Sequence, residues 1–268
     1  DNTTIPKEDE LASEEKVNSP QEGGKVVIAT TQAVNLDPLQ AENEEEKAIL
    51  SLIYDGLVKV DGEGKIQPAL AQSIQISEDG RNYSFDLRRE VTWHDGTVFT
   101  SKDVKATFDK IRKIKADKKT PAQWFQVFNN IESYDAPDDY SINISLYNAD
   151  AGFLYHMDFG ICPVSAVDLN DTKQNEKETE TDIQANFSSF IGTGPFKFER
   201  HDSQTLILSK NDKYYRGKPY LDQIEIKFFP DLYSMKEAFK SQSVDLIRIE
   251  AQDWGIFQNM ANVTLLQY

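Results

Sequence analysis

Ile74-Gln-Ile-Ser-Glu-Asp-Gly-Arg-Asn-Tyr-Ser-Phe-Asp-Leu87 decides the architecture of the middle of this 268-residue chain. Two alternating runs flank Asp79-Gly80, and Asp-Gly suits a tight turn. A period of two puts Tyr83, Phe85 and Leu87 on one face, so the stretch predicts a half-buried antiparallel hairpin. Downstream, Thr100-Ser-Lys-Asp103 carries a hydroxyl cap and an acid three residues later, the signature of a helix start. That helix continues through Val104, Phe108 and Ile111. A second hairpin is expected where Ile131–Ala136 and Tyr140–Leu146 alternate around Pro137-Asp138-Asp139.

On either side the pattern changes. Lys25-Val-Val-Ile-Ala-Thr-Thr31 is a β-branched run that predicts a strand buried on both faces. After a loop from Gln32 to Pro38, Glu44 to Tyr54 predicts a helix. Ala48, Ile49, Leu52 and Ile53 form its apolar stripe, and Glu44, Glu45 and Glu46 lie in the first turn, where the helix dipole favours acids. Toward the other end, strands are expected at Pro195–Glu199, Thr205–Ser209, Gln223–Phe229, Asp245–Ile249 and Val263–Gln267, with a helix at Leu232–Lys240. The fold class is therefore mixed α/β. Residues 25–45 and 190–268 read as one α/β subdomain, and residues 46–189 as a smaller β-rich subdomain inserted into it. Residues 1–24 are polar and acidic, a composition that suits a flexible tether. The chain begins at Asp1 rather than Met, as expected of a processed or trimmed protein. Asp171 to Asp182 reads as a surface loop.

Composition excludes several classes. The formal net charge of −16 opposes contact with phosphate backbones, so no nucleic acid is expected as a partner. No run of about 18 apolar residues occurs that would span a bilayer. The single cysteine, Cys162, sits in the apolar Phe159-Gly-Ile-Cys-Pro-Val164 and reads as a small buried hydrophobe. His94, His156 and His201 are far apart and none has a metal-ligand spacing, so neither a metal nor a cofactor is expected. His94-Asp95-Gly96 reads as a base with its orienter or, more simply, as a turn. There is no G-x-S-x-G elbow, and Ile191-Gly-Thr-Gly-Pro195 lacks the lysine and spacing of a phosphate loop. The reading is therefore not an enzyme. Gly192-Thr193-Gly194-Pro195 specifies a backbone path that side chains would obstruct. It marks a loop beside a ligand cleft or subdomain crossing, or a tight turn feeding the next strand. Trp93, Trp124, Trp254, Tyr54, Tyr214 and Tyr215 either line a cleft or pack in a core. Trp124, after a Lys-rich stretch, is the one placed nearest a ligand.

Read in order, Pro68-Ala-Leu-Ala71, Ser77-Glu-Asp-Gly80, Tyr83-Ser-Phe-Asp-Leu-Arg88, Trp93-His-Asp-Gly-Thr97 and Ser101-Lys-Asp-Val104 resemble the signature block of family 5 bacterial solute-binding proteins, the oligopeptide, dipeptide and nickel receptors of ABC importers. Leu36-Asp37-Pro38, Tyr54-Asp-Gly-Leu57, Gly192-Thr-Gly-Pro-Phe196, Asn211 to Tyr215 and Val244-Asp245-Leu246 add to the likeness. The resemblance implies a type II periplasmic-binding-protein first lobe with a smaller subdomain beside it. Its second lobe would lie beyond Tyr268, and the whole would close on ligand about a hinge. It implies an extracytoplasmic receptor, periplasmic or lipid-anchored to the outer face of the membrane, with a short peptide as ligand and ABC permease subunits as partners. It puts the ligand against Gln32, Ala33, Val34 and Asn35, whose backbone would pair with an extended peptide. Tyr54, Trp124, Gly192, Thr193 and Gly194 complete that wall. A nickel-chelate or other small-solute receptor, a hydrolase with an unfamiliar site, and a ligand-incompetent fragment serving only as an interaction or antigen domain are the alternatives.

Overall fold

The structure is a computed structural model that describes residues 20–32, 34–41, 43–116, 127–165 and 190–266. Ala33, Trp124 and the Asp171–Asp182 loop lie outside the described residues. A five-stranded mixed sheet gathers the two outer parts of the chain. It is built from β1 (Lys25–Thr30), β8 (Phe196–His201), β9 (Thr205–Lys210), β10 (Gln223–Phe228) and β11 (Leu246–Ile247), in the order β11-β1-β10-β9-β8. β1 runs parallel to both neighbours, whereas β8, β9 and β10 form an antiparallel meander. Helix α3 (Leu232–Lys240) makes the crossover from β10 to β11.

β1 is packed on both faces, as its β-branched run anticipates. Val27 and Ala29 lie with Met235 of α3, and Val26 and Ile28 turn toward α1 (Glu44–Leu50). The α1 face joins Ile49, Leu50, Ile53 and Tyr54 to Leu206, Leu208, Ile224 and Ile226.

Between β1 and β8 lie a two-stranded ribbon, β2 (Val58–Val60) and β3 (Ile66–Pro68), and a four-stranded antiparallel sheet. The latter comprises β4 (Ala71–Ile76), β5 (Asn82–Leu87), β6 (Ile131–Asp138) and β7 (Ser141–Leu146), in the order β4-β5-β7-β6. The Asp79-Gly80 hairpin forms as read, with Gly80 at φ +68°. Tyr83, Phe85 and Leu87 share the buried face with Ile142, Ile144 and Leu146. Helix α2 (Ser101–Ala116) covers that face with Val104, Phe108 and Ile111, each fully buried. Its start carries half of a capping box, for Asp103 Oδ2 accepts the Thr100 N–H at 2.9 Å.

Four expectations are corrected. α1 stops at Leu50 instead of running to Tyr54, and Ala48 is exposed. Beyond Leu50 the carbonyls of Leu52 and Ile53 leave the helical pattern because they accept from Phe196 N and Gly194 N, each at 2.8 Å. The second hairpin turns at Asp139-Tyr140. Pro137 sits inside β6 at a register irregularity, where its missing N–H costs no ladder bond. Of Asp245–Ile249 only Leu246–Ile247 pairs, and Val263–Leu266 forms no strand. An alternating run becomes a strand only where another strand lies beside it.

Cys162 is buried, as read, and burial pushes its thiol up to about 12.

Candidate functional site

Three segments that are distant in sequence meet where the two sheets join: residues 52–57, the Gly160–Cys162 strip and the Gly192–Gly194 loop. The contact is close enough to demand glycine. A Cβ on Gly192 would lie 1.8 Å from the carbonyl oxygen of Ile53, and one on Gly194 would lie 2.6 Å from its carbonyl carbon. Gly160 is set against Tyr54 in the same way, at 2.5 Å from its Cβ. Thr193 is buried, and its Oγ1 accepts the Asp55 N–H at 3.4 Å. Asn211 Nδ2 donates to Gly194 O at 3.0 Å.

His94 clamps this loop at both ends. Its Nδ1 accepts from Gly192 N at 3.2 Å, its Nε2 lies 3.0 Å from Gly194 O, and its own N–H donates to Gly192 O at 2.9 Å. A bare Nδ1 and a protonated Nε2 satisfy both contacts, which is the neutral imidazole. Burial agrees, drawing the His94 pKa down to about 4. Both ring nitrogens are thus committed to backbone. Asp95 does not orient the ring: its Oδ1 accepts from Thr97 N and Oγ1. The base-and-orienter reading is replaced by a structural clamp.

The loop after β1 is held from beneath. Thr30 Oγ1 accepts Gln32 N at 2.9 Å, and Glu46 Oε1 accepts Asn35 N at 2.6 Å. The Tyr54 hydroxyl donates to Leu36 O at 3.3 Å, and Lys110 of α2 pairs with Asp37 at 3.3 Å. Val34 is buried, whereas Gln32 and Asn35 are exposed. Two of the loop's N–H groups are therefore spent internally. The Asn35 side chain is engaged as well, donating to Gln40 Oε1 at 3.3 Å and accepting from Asp37 N at 3.0 Å. Glu46 escaped the sequence reading, which treated it only as a dipole partner. The available signal was its spacing from Ile49 and Leu50, which places a carboxylate on the apolar face of α1.

Tyr54, Gly192, Thr193 and Gly194 come together, but as buried packing groups. Burial holds the Tyr54 phenol well above its ordinary range. Beside them lies a second element not singled out in the sequence, the buried carboxyl of Asp55. Its Oδ1 accepts from the Tyr214 hydroxyl at 3.1 Å, and burial raises its pKa to about 6. Trp93 is a core residue whose Nε1 donates to buried Asp103 at 3.4 Å, and Trp254 is partly exposed on α4 (Trp254–Phe257). Among the described residues no group of three or more His, Cys, Asp or Glu could hold a metal ion.

Residues 65–267 match the profile of the bacterial extracellular solute-binding proteins, family 5. The chain is similar to the oligopeptide-binding protein AppA of Bacillus subtilis (strain 168), 24% identical over 265 residues that cover 95% of this chain and 46% of that protein. It is similar to the nickel-binding periplasmic protein of Escherichia coli (strain K12), 27% identical over 223 residues covering 82% and 40%. It superposes on AppA in complex with a nonapeptide with a TM-score of 0.76 and 25% identity, over 91% of this chain and 47% of that one. Against DppA of Helicobacter pylori in complex with the peptide STSA the TM-score is 0.75 with 26% identity, over 91% and 50%. The chain spans about half the length of the relatives it matches.

Proposed function

The chain belongs to the bacterial extracellular solute-binding proteins of family 5, and from that membership we propose that it forms the first lobe of a receptor that captures short peptides in an interlobe cleft and delivers them to an ABC permease. Its fold is of the type II periplasmic-binding-protein class. The observation that carries the peptide reading is the superposition of 91% of the chain on a nonapeptide-bound relative. The division into a first-lobe sheet and an inserted subdomain draws support from the separate packing of the two sheets. By that packing α1 and Tyr54 go with the five-stranded sheet and Leu57 with the inserted part. The ligand wall proposed from the family resemblance is Gln32 to Asn35 together with Trp124, Tyr54 and Gly192–Gly194; among the described residues Tyr54 braces the loop through Leu36 O. The family works outside the cytoplasm, and lipid anchoring is part of the proposal. No helix among the described residues is long and apolar enough to cross a membrane.

Ligand capture is a population shift: a peptide that touches both lobes only when they are closed favours the closed state. The test is thermal unfolding of the full-length protein with a pool of short peptides and, separately, with chelated nickel. Peptide at about a hundred times its Kd adds roughly 2.7 kcal/mol of stability, a clear rise in Tm. This chain alone is expected to respond far less, since losing about 4 kcal/mol of contacts weakens binding about a thousandfold. A shift with nickel chelate alone moves the assignment to that sister class. A shift with neither removes both readings.

A further inference from the structure

We propose that Lys110 of α2 is a positioning residue for ligand capture, holding the loop after β1 in place from the inserted part of the chain. The link to ligand rests on the peptide-receptor reading, in which Gln32 to Asn35 form the ligand wall, whereas the hold on the loop stands on geometry alone. The loop from Val34 to Ala41 belongs to neither core by itself. Val34, Leu36 and Ala41 are buried with α1 and the five-stranded sheet, but Leu39 is buried in the cluster that holds Val104, Phe108 and Ile111 of α2. Pro38, beside Leu39, lies against the Gly160 strip, where a Cβ on Gly160 would stand 3.0 Å from the proline Cβ.

Asp37 stands where the loop passes from one core to the other. Its Oδ1 accepts Leu39 N and its Oδ2 accepts Gln40 Nε2, each at 3.0 Å, and its carbonyl accepts Gln40 N at 3.0 Å. Its own N–H donates to Asn35 Oδ1, so the turn around Asp37 is continuous with the residue at the end of the ligand wall. These bonds close the loop on itself. Lys110 ties it to α2, with Nζ 3.3 Å from Asp37 Oδ2.

This pair differs from its neighbour on the same helix. Lys105 and Asp109 are each 47% exposed, whereas the side chains of Lys110 and Asp37 retain 12% and 17%. An exposed pair is screened and holds little, but a carboxylate largely withdrawn from water needs its cation. Without the ammonium, Asp37 gains by turning toward solvent, and that movement opens the turn that carries Asn35.

The experiment uses the full-length protein with Lys110→Met, Lys110→Arg and Lys105→Met, the last removing a helix ion pair that does not reach the loop. Amide exchange without ligand reads the hold itself. At Asp37, Leu39 and Gln40 it is expected to be about tenfold faster in Lys110→Met, close to the parent in the other two, and unchanged in the β1–β10 ladder of all three. Equal loop rates in Lys110→Met and the parent overturn the proposal. The half-saturating concentration of the pool of short peptides reads the consequence. It is expected to rise about tenfold in Lys110→Met while the Tm stays close to that of the parent, and to return most of the way in Lys110→Arg. Faster loop exchange with parental affinity overturns the positioning role. If no short peptide binds the parent, the peptide reading fails, and the exchange rates alone decide whether α2 holds the loop. Should Lys110→Met fail to fold, Asp37→Asn breaks the same pair from the other side and keeps an acceptor for Leu39 N, with the same outcomes expected.

Discussion

Gly192→Ala is expected to cost the chain about 3 kcal/mol or more, enough to leave a large fraction unfolded at moderate temperature. The added Cβ would come within 1.8 Å of the Ile53 carbonyl oxygen, a backbone atom that cannot swing aside. Relief would mean pulling the 192–194 loop off the 52–55 segment. That breaks the bonds from Gly194 N to Ile53 O and from Phe196 N to Leu52 O, both 2.8 Å. Those bonds tie β8 to the end of α1, so the damage spreads from the loop to the edge of the five-stranded sheet. Gly62→Ala is the control, because a Cβ there meets nothing within 4 Å, and it should shift stability by less than about 0.5 kcal/mol. Urea and thermal melts of the three proteins check the pair. A Gly192→Ala protein that melts with the parent would mean that the loop is not packed as described.

His94→Ala ranks second, at about 2–4 kcal/mol. Truncation removes the acceptor for Gly192 N and one of the donors to Gly194 O, and it leaves a void beneath the loop. Gly194 O keeps Asn211, so the unsatisfied Gly192 N–H carries much of the penalty. A pH signature separates this role from mere packing. The folded-state pKa is depressed from 6.5 to about 4, so the His94 contribution is present above the unfolded value and fades as pH falls toward 4. The stability gap between parent and alanine variant should therefore narrow from neutral toward acid pH, which paired melts check. Parallel curves would rule out the clamp.

Much of the scaffold was legible because its signals are local. The hairpin at Asp79-Gly80 rests on a turn dipeptide and a period-two pattern, and both act within a few residues. The same holds for the Thr100 to Asp103 helix start and for Leu232–Lys240, which forms over the expected residues. Two readings went wrong where a distant partner decides the outcome. α1 ends early because Leu52 and Ile53 give their carbonyls to residues some 140 positions away, and among the described residues Val263–Leu266 has no strand beside it.

What the sequence determined by itself is the mixed α/β class, the β-rich middle and the family, because alternation, caps and an ordered set of short motifs are properties of neighbouring residues. Only the tertiary structure decided which polar groups matter. Glu46 and His94 look like ordinary polar residues in the chain, a first-turn acid and part of a turn, and Asp55 is not singled out at all. Folding buries Glu46 and Asp55 and draws His94 partly inside, bringing each against partners that no spacing rule connects: a loop N–H, the Tyr214 phenol and both ends of a glycine loop. The reason is physical. A polar side chain acquires a fixed role when it loses water, and desolvation is a property of the assembled core rather than of any stretch of sequence.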